Sequence, residues 1–197
     1  GQAPEPISKN LRELETYLRE MKHVDLAIAT DGDADRIGLY NTGGKFVDAH
    51  HIILLLIHIL HRYKEMTGKV VIAFSVSNKV KKMCEQYGIP YEVTKIGFKY
   101  ICEIMINEDV LLGGEESGGI AIKGHIPERD GIWMGLVIWE FMAKSGKKFV
   151  AQPMGHVVSE CPSQASTRFP CRLVAQLRFR QWTTSTLLPF VPGRTVD

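Results

Sequence analysis

Residues 69–112 read KVVIAFSVSNKVKKMCEQYGIPYEVTKIGFKYICEIMINEDVLL. Three short apolar runs of strand length alternate in this stretch with two segments of helical length. Strands that alternate with helices predict right-handed βαβ units. We therefore expect an α/β fold with mixed or parallel sheets, in which ligands bind where strand ends meet helix starts.

The alternation of strands and helices continues on both sides of this stretch. Apolar runs and apolar spacing predict an amphipathic helix over 8–22 with Ser8 as its N-cap, strands at 24–29 and 37–40, an apolar helix from 49 to about 66, and a helix over 132–143. No internal repeat of solenoid period is present.

The composition is that of an ordinary globular protein. Of the 197 residues, 45% are apolar and 23% are charged, and 24 basic against 22 acidic side chains give a net charge of +2. This balance does not favour nucleic acid or a membrane surface as a partner. The apolar run at 52–57 is far shorter than the roughly 20 residues that cross a bilayer, and no export signal opens the chain. The four cysteines lack zinc-type spacing, so we expect a reduced cytoplasmic protein.

The composition changes near the end of the chain. Residues 151–197 contain no lysine and are enriched in arginine, proline, serine and threonine, and only 173–179 has a local pattern. We interpret 149–197 as an atypical tail, which a shifted reading frame, a fusion or disorder would produce. The other two reading frames of the gene test the first of these explanations.

An acidic loop, TDGDADR at 30–36, follows the first predicted strand. Its carboxylates Asp31, Asp33 and Asp35 occupy alternate positions, so they can converge on one hard cation, and the residues between them are small. Oxygen-only ligands favour Mg²⁺ or Ca²⁺ over zinc. The loop therefore predicts a site for a hard divalent cation.

Three other interpretations of the acidic loop exist. A solvated acidic turn stays open. A calcium EF-hand fails, because it needs Gly at its sixth position and Glu at its twelfth, where this chain has Arg36 and Thr42. A haloacid-dehalogenase-type phosphatase would use Asp31 as nucleophile and Asp33 as acid/base, but usually has Thr or Val where this chain has Asp35. It remains a weaker rival.

A glycine-rich stretch, GGEESGG at 113–119, follows a predicted strand. Its glycines bring the backbone close to a ligand, and Glu115 and Ser117 offer an acceptor and a donor to neighbouring hydroxyls. These groups suit a sugar better than a phosphate. The alternative is a glycine-rich hairpin with exposed carboxylates.

Two further loops supply cations. TKIGFKY at 94–100 contains Lys99, and HIPERDG at 125–131 contains Arg129, each near a predicted turn. An anionic ligand requires such groups. Either loop alone is most simply interpreted as a solvated loop. Only the two together indicate a site for an anionic ligand.

Together, these four motifs resemble those of the α-D-phosphohexomutases, the phosphoglucomutase and phosphomannomutase family. ATDGDADRIG is similar to the family's metal-binding loop, GGEESGG to its sugar-binding loop, and TKIGFKY and HIPERDG to its remaining third-domain substrate loops. Order and spacing agree over about residues 1–148. The GEES and GFK forms resemble phosphoglucomutases more than bacterial phosphomannomutases.

Members of this family have four domains around one cleft. The resemblance implies that residues 1–45 are the end of domain 2, that 46–148 are domain 3, and that 149–197 lie outside the resemblance. It also implies a set of site residues: Asp31, Asp33 and Asp35 as Mg²⁺ ligands, Arg36 as a catalytic residue facing the phosphoserine or the substrate, and Gly97, Lys99, Glu115, Ser117 and Arg129 along the sugar and phosphate path.

The implied reaction interconverts hexose 1-phosphate and hexose 6-phosphate, with glucose or mannose as the sugar, through an enzyme phosphoserine and a bisphosphate intermediate. Family members carry that serine in a Thr-Ala-Ser-His-Asn-Pro-like loop and bind phosphate with an Arg-x-Ser-Gly-Thr loop, and this sequence contains neither motif. We therefore expect the centre of such an enzyme, which works with the remaining mutase domains and has little or no activity alone. A silent sugar-phosphate-binding protein is the alternative.

Overall fold

The computed structural model describes residues 4–21, 24–41, 43–146, 173–176 and 188–190. In this part of the chain the strands are β1 (Leu26–Thr30), β2 (Ile37–Tyr40), β3 (Phe46–Val47), β4 (Lys69–Ala73), β5 (Tyr91–Thr94), β6 (Val110–Gly114), β7 (Ile120–Ile122), β8 (Leu173–Gln176) and β9 (Leu188–Phe190). The α-helices are α1 (Arg12–Glu20), α2 (Ala49–His58), α3 (Asn78–Tyr87), α4 (Phe98–Asn107) and α5 (Gly131–Ser145).

The first sheet has the strand order β3-β2-β1-β8-β9. β1 is antiparallel to β2, with Thr30 opposite Ile37, and parallel to β8. The acidic loop is therefore the connection of a β-hairpin, which holds its two ends close together.

The second sheet has the order β5-β4-β6-β7. β4 is parallel to both β5 and β6, and α3 and α4 form the crossovers between them. β7 is antiparallel to β6. The expected α/β fold with mixed sheets and βαβ units is confirmed.

Alternating side chains of the strands face different helices, as the two-residue period of a strand requires. In β1, Ala27 and Ala29 pack with α1, whereas Leu26 and Ile28 belong to the large cluster that contains α2 and α5. In β4, Val71 packs with α4 on one face of the second sheet. Val70 and Ile72 of the same strand belong to the large cluster, so β1 and β4 are each covered on both faces.

The helix α2 contacts both sheets, through β2 and β6. Six consecutive residues, 52–57, are buried, so the helix lies inside the core rather than on its surface. Glycine eases the close approach of α2 to β6, because a Cβ on Gly114 would lie 3.0 Å from Ile53 and the Ile53 side chain would have to shift. In the described ranges no helix combines the length and the apolarity that a bilayer span needs.

Two sequence predictions for the helices were wrong in detail. The helix predicted to run to about residue 66 leaves α geometry after His58 and continues as a π-helical turn over Ile59–Tyr63. Ser8 does not cap α1, because residues Ser8–Asn10 form a separate 3₁₀ turn and the helix begins after Leu11. Local turn geometry decides both points, and apolar spacing carries no information on it.

The division of the chain at residues 45 and 46 remains a prediction. The strand β3 begins there and pairs with β2, so the hairpin of the first sheet crosses the division. In the tail, the strand β8 lies within residues 173–179, the stretch where the sequence shows a local pattern. The strand β9 pairs with it. The rest of 149–197 lies outside the described residues.

Asp48 caps the N-terminus of α2. Its carboxylate accepts a hydrogen bond from the backbone N–H of His51 at 3.0 Å, and Nδ1 of the His51 ring lies 2.7 Å from the same oxygen. Partial burial opposes ionisation of Asp48, but these contacts outweigh it and hold the pKa of the carboxyl below its usual value. The ionised cap therefore stabilises the folded state.

Replacement of the cap by Asp48→Ala is expected to lower the free energy of unfolding by about 1 kcal/mol at pH 7. Because the pKa is lower in the folded than in the unfolded chain, the charge stabilises the fold above the unfolded pKa of about 3.9 and ceases to do so as the pH falls through the folded pKa. The difference in urea unfolding should therefore shrink toward acidic pH. Asp48→Asn, which keeps a capping oxygen, should lose less at pH 7. A difference for Asp48→Ala that grows as the pH falls would contradict this account.

Candidate functional site

The acidic loop folds back on itself between β1 and β2. The N–H of Ala34 donates to the carbonyl of Asp31 at 3.3 Å, and Ala34 has a positive φ of 61°. One carboxylate oxygen from each of Asp31, Asp33 and Asp35 lies within 4.8 Å of the others. The structure thus brings these three carboxylates together, and this donor set fits a hard divalent cation such as Mg²⁺.

Arg36 holds Asp31 in a fixed orientation. Its Nε donates to Oδ2 of Asp31 at 2.5 Å, and its backbone N–H donates to Oδ1 at 3.1 Å. Burial opposes ionisation of Asp31, but the hydrogen bonds from Arg36 outweigh it and lower the pKa of the carboxyl. Nη1 of the same guanidinium lies 3.4 Å from Glu5. Asp31 is therefore a buried, ionised group whose charge Arg36 balances.

Arg129 holds the other end of the acidic loop. Its Nη2 lies 2.5 Å from Oδ2 of Asp35, and its guanidinium carbon lies 5.6 Å from the centre of the Phe98 ring. Burial raises the pKa of Asp35 to about 6, against the attraction of Arg129 and with the repulsion of Asp31 and Asp33. Asp35 therefore holds its proton more tightly than an ordinary aspartate does.

Backbone contacts join the acidic loop to the glycine-rich loop and to α5. Arg36 forms an isolated antiparallel bridge with Gly119, in which the N–H of Ile37 donates to the carbonyl of Gly118 at 3.1 Å. The N–H of Gly131, the first residue of α5, donates to the carbonyl of Ala34 at 2.8 Å. The acidic, glycine-rich and HIPERDG loops consequently meet at one place.

The glycine-rich loop is the turn of the β6–β7 hairpin. The alternative interpretation of the sequence, a glycine-rich hairpin with exposed carboxylates, predicted this backbone. Its first carboxylate is not exposed, however. Glu115 is 5% exposed and accepts a hydrogen bond from the backbone N–H of Gly97 at 2.8 Å. The next residue, Glu116, accepts a hydrogen bond from the hydroxyl of Ser75. Both contacts tie the hairpin turn to the carboxyl ends of neighbouring strands.

The remaining two site residues from the sequence lie at the edge of this assembly. Lys99 is exposed in the first turn of α4, with Nζ 4.9 Å from the centre of the Tyr100 ring. Ser117 is exposed at the tip of the glycine-rich loop. In the described part of the chain, neither forms an ion pair or hydrogen bond with the other site residues.

Sequence reasoning missed several residues that contact the site: Glu5 beside Arg36, Phe98 beneath Arg129, and the pair of Ser75 and Glu116. A signal existed for Ser75, which follows a predicted parallel strand at the end where ligands bind in such sheets. Glu5 lies far from the loop in sequence, and only the folded chain brings it there.

The fold and these loops define an α/β protein of the phosphohexomutase class. A family profile described as "Phosphoglucomutase/phosphomannomutase, alpha/beta/alpha domain III" matches residues 48–158. That match covers more than half of the chain, and the chain belongs to the phosphoglucomutase/phosphomannomutase family.

Curated relatives support the same family. The phosphoglucosamine mutase of Ruminiclostridium cellulolyticum is 32% identical over 142 residues, which are 72% of this chain and 31% of the relative. That of Rubrobacter xylanophilus is 32% identical over 149 residues, which are 75% of this chain and 34% of the relative. The chain thus spans about a third of the length of these relatives.

Solved structures share the fold. A protein from Thermus thermophilus described as a phosphomannomutase is 39% identical and has a TM-score of 0.68, over 74% of this chain and 33% of the other. The exocytosis-sensitive phosphoprotein pp63/parafusin of Paramecium, a phosphoglucomutase in its open form, is 26% identical with a TM-score of 0.62, over 71% of this chain and 25% of the other.

The junction between the acidic and glycine-rich loops needs glycine at position 118. Gly118 has a φ of +95°, and a Cβ there would lie 2.7 Å from the carbonyl oxygen of Ile37. Gly124 has a similar φ of +87° but no atom within 4 Å of an added Cβ. The two glycines therefore separate the cost of the backbone conformation from the cost of crowding.

Gly118→Ala is expected to lower the free energy of unfolding more than Gly124→Ala does. The difference between the two variants should be about 2 kcal/mol, measured by urea unfolding. The positive φ costs both variants about 1–2 kcal/mol, but only the first also forces Ile37 away from the bridge. Equal losses in the two variants would show that the bridge does not confine Gly118.

Proposed function

We propose that this chain carries the metal loop and the sugar loop of a phosphohexomutase, which interconverts hexose 1-phosphate and hexose 6-phosphate through a phosphoserine and a bisphosphate intermediate. The observation that supports this most is the backbone bridge between Arg36 and Gly119, which sets the acidic loop beside the glycine-rich loop. A phosphoryl group bound near the first loop would then lie next to a sugar bound near the second. Residues 1–45 would correspond to the end of domain 2 and residues 46–148 to domain 3.

In this proposal Asp31, Asp33 and Asp35 hold Mg²⁺. The cation would neutralise charge on the phosphoryl group that is transferred. The protein prepares the site by keeping Asp31 ionised through Arg36, so one ligand is charged and oriented in advance. The remaining N–H groups of Arg36 would face the phosphoserine or the substrate, and its role is to bind and orient a phosphate oxygen.

Glu115 and Ser117 bind the sugar hydroxyls. The hydrogen bond from Gly97 occupies Oε1 of Glu115, which fixes the carboxylate and leaves Oε2 as the acceptor for a hydroxyl. Ser117 lies exposed two residues further on. Lys99 and Arg129 supply the positive charge that a sugar phosphate needs at its other end.

For the sugar of the substrate we propose a chemical class rather than one compound. The sequence motifs indicate glucose or mannose, whereas the curated relatives are phosphoglucosamine mutases. These sugars differ at C2, so a hexose or hexosamine phosphate is the substrate class that we propose. Titration with glucose 6-phosphate, mannose 6-phosphate and glucosamine 6-phosphate ranks them.

The phosphatase alternative is the weaker one. Such enzymes usually have Thr or Val where this chain has Asp35, and Asp35 lies together with Asp31 and Asp33 in the acidic loop. Membership of the mutase family also removes a haloacid-dehalogenase assignment. A silent sugar-phosphate-binding protein remains the second candidate, which the absence of the serine motif from this sequence favours. A serine-loop domain encoded upstream in the gene would decide for the mutase.

Asp33→Asn is expected to weaken Mg²⁺ binding about tenfold, as measured by isothermal titration calorimetry, because it removes one of three charged ligands. The unfolding free energy should change by less than about 0.5 kcal/mol, since Asp33 is exposed and its charge forms no ion pair in the described part of the chain. Asp109→Asn, at an exposed carboxylate paired with Lys123, is the control and should bind Mg²⁺ normally. Unchanged Mg²⁺ affinity in Asp33→Asn would contradict the metal assignment.

The chain alone is expected to bind glucose 6-phosphate in the presence of Mg²⁺ but not to convert glucose 1-phosphate. The physical reason is that the sequence has no serine in the nucleophile motif and no phosphate-clamp motif. A coupled assay with a hexose bisphosphate as activator measures conversion, and calorimetry measures binding. Normal turnover would overturn the proposed inactivity, and a lack of sugar phosphate binding would overturn the proposed function.

A further inference from the structure

His125 and Asp130 close the HIPERDG loop. Nε2 of His125 lies 2.9 Å from Oδ2 of Asp130, and the two side chains are 24% and 28% exposed. The His125 ring also stacks on Trp133, with centroids 4.8 Å apart and planes at 17°. The other oxygen of Asp130 accepts the backbone N–H of Trp133 at 2.8 Å and so caps α5. Both carboxylate oxygens of Asp130 are therefore engaged, one by the helix and one by His125.

Backbone hydrogen bonds of Asp130 and Gly131 also hold the chain beside Arg129. The N–H of Asp130 donates to the carbonyl of Ile120 in β7 at 3.2 Å, and the N–H of Gly131 donates to the carbonyl of Ala34 at 2.8 Å. Arg129 directly precedes these two residues, and its guanidinium reaches from there to Asp35. Any rotation of the Asp130 peptide would thus move Arg129 relative to the acidic loop.

We infer that His125 is a positioning residue for Arg129, which acts by holding the carboxylate of Asp130. The inference rests on the proposed function for the role of Arg129 in binding the sugar phosphate. The two oxygens of Asp130 have different roles in this inference. Oδ1 caps α5 through the N–H of Trp133, whereas Oδ2 is held by His125 next to Arg129. Loss of His125 leaves the cap of α5 and the backbone hydrogen bonds in place but removes the contact that orients Oδ2 of Asp130 next to Arg129, so binding suffers while the fold persists. A misplacement of about 1 Å in a ligand-binding side chain is enough to weaken binding substantially.

Two substitutions distinguish the hydrogen bond from the stacking contact. His125→Gln places an amide N–H donor near the position of Nε2 and removes the ring. His125→Phe keeps a ring on Trp133 and removes the donor. If the phenyl ring does not fit, His125→Leu is the second apolar variant.

The measurements use the 197-residue chain. The first is the NMR peak of the Nε–H of Arg129, a nitrogen that is buried, assigned by its loss in Arg129→Lys. The second is the affinity for glucose 6-phosphate in Mg²⁺, and the third is thermal unfolding. We expect the Phe variant to shift or broaden the Arg129 peak and to weaken binding about tenfold, whereas the Gln variant retains the wild-type peak and affinity. Both variants should unfold at similar temperatures.

His51→Phe is the matched control, because His51 also pairs with a helix-capping aspartate, at the start of α2. It should leave the Arg129 peak and the affinity unchanged. Wild-type behaviour of both His125 variants, or equal losses in both, would overturn the inference, since the hydrogen bond would then not position Arg129. If the wild-type chain does not bind glucose 6-phosphate, the proposed function fails, and the Arg129 peak still decides whether His125 positions that side chain.

Discussion

The backbone bridge between Arg36 and Gly119 is the contact on which the rest of the site depends. It joins the loop after β1 of the first sheet to the start of β7 in the second sheet. The same short segment also closes the glycine-rich turn, because the N–H of Glu115 donates to the carbonyl of Gly119 at 3.0 Å. Since the bridge is made by backbone atoms, it fixes the two loops relative to each other without using a side chain. The bridge itself therefore uses no carboxylate or cation of the site.

The charges of the site are balanced pairwise. Arg36 faces Asp31, Arg129 faces Asp35, and Asp33 is left without a cation in the part of the chain that the structure describes. This arrangement explains why the pKa values of two neighbouring aspartates move in opposite directions. Asp31 accepts two hydrogen bonds from Arg36, whereas burial and two negative neighbours act on Asp35. A divalent cation added to this set would offset the remaining negative charge, which favours the approach of a phosphate dianion.

The sequence predicts the architecture well because its signals are local. The alternation of apolar runs and helical segments over 69–112 identifies β4 to β6 and the two crossover helices, and the acidic loop is recognisable from its own spacing. Contacts between distant segments are a different matter. That Gly97 donates to Glu115, or that Glu5 approaches Arg36, depends on how the sheets pack. The π-helical turn after α2 is also not predictable from apolar spacing, because residues 52–57, 59 and 60 are all apolar and so show no period.

The placement of α2 has a mechanical consequence. One buried helix packs against a strand of each sheet, so neither sheet has a complete core without it. Extracting the helix from one sheet would expose a row of Ile and Leu side chains, at roughly 25 cal/mol for each Å² of apolar surface. The two sheets are therefore coupled through this shared helix, and heat or denaturant should melt them in a single cooperative step although a predicted domain boundary passes between them.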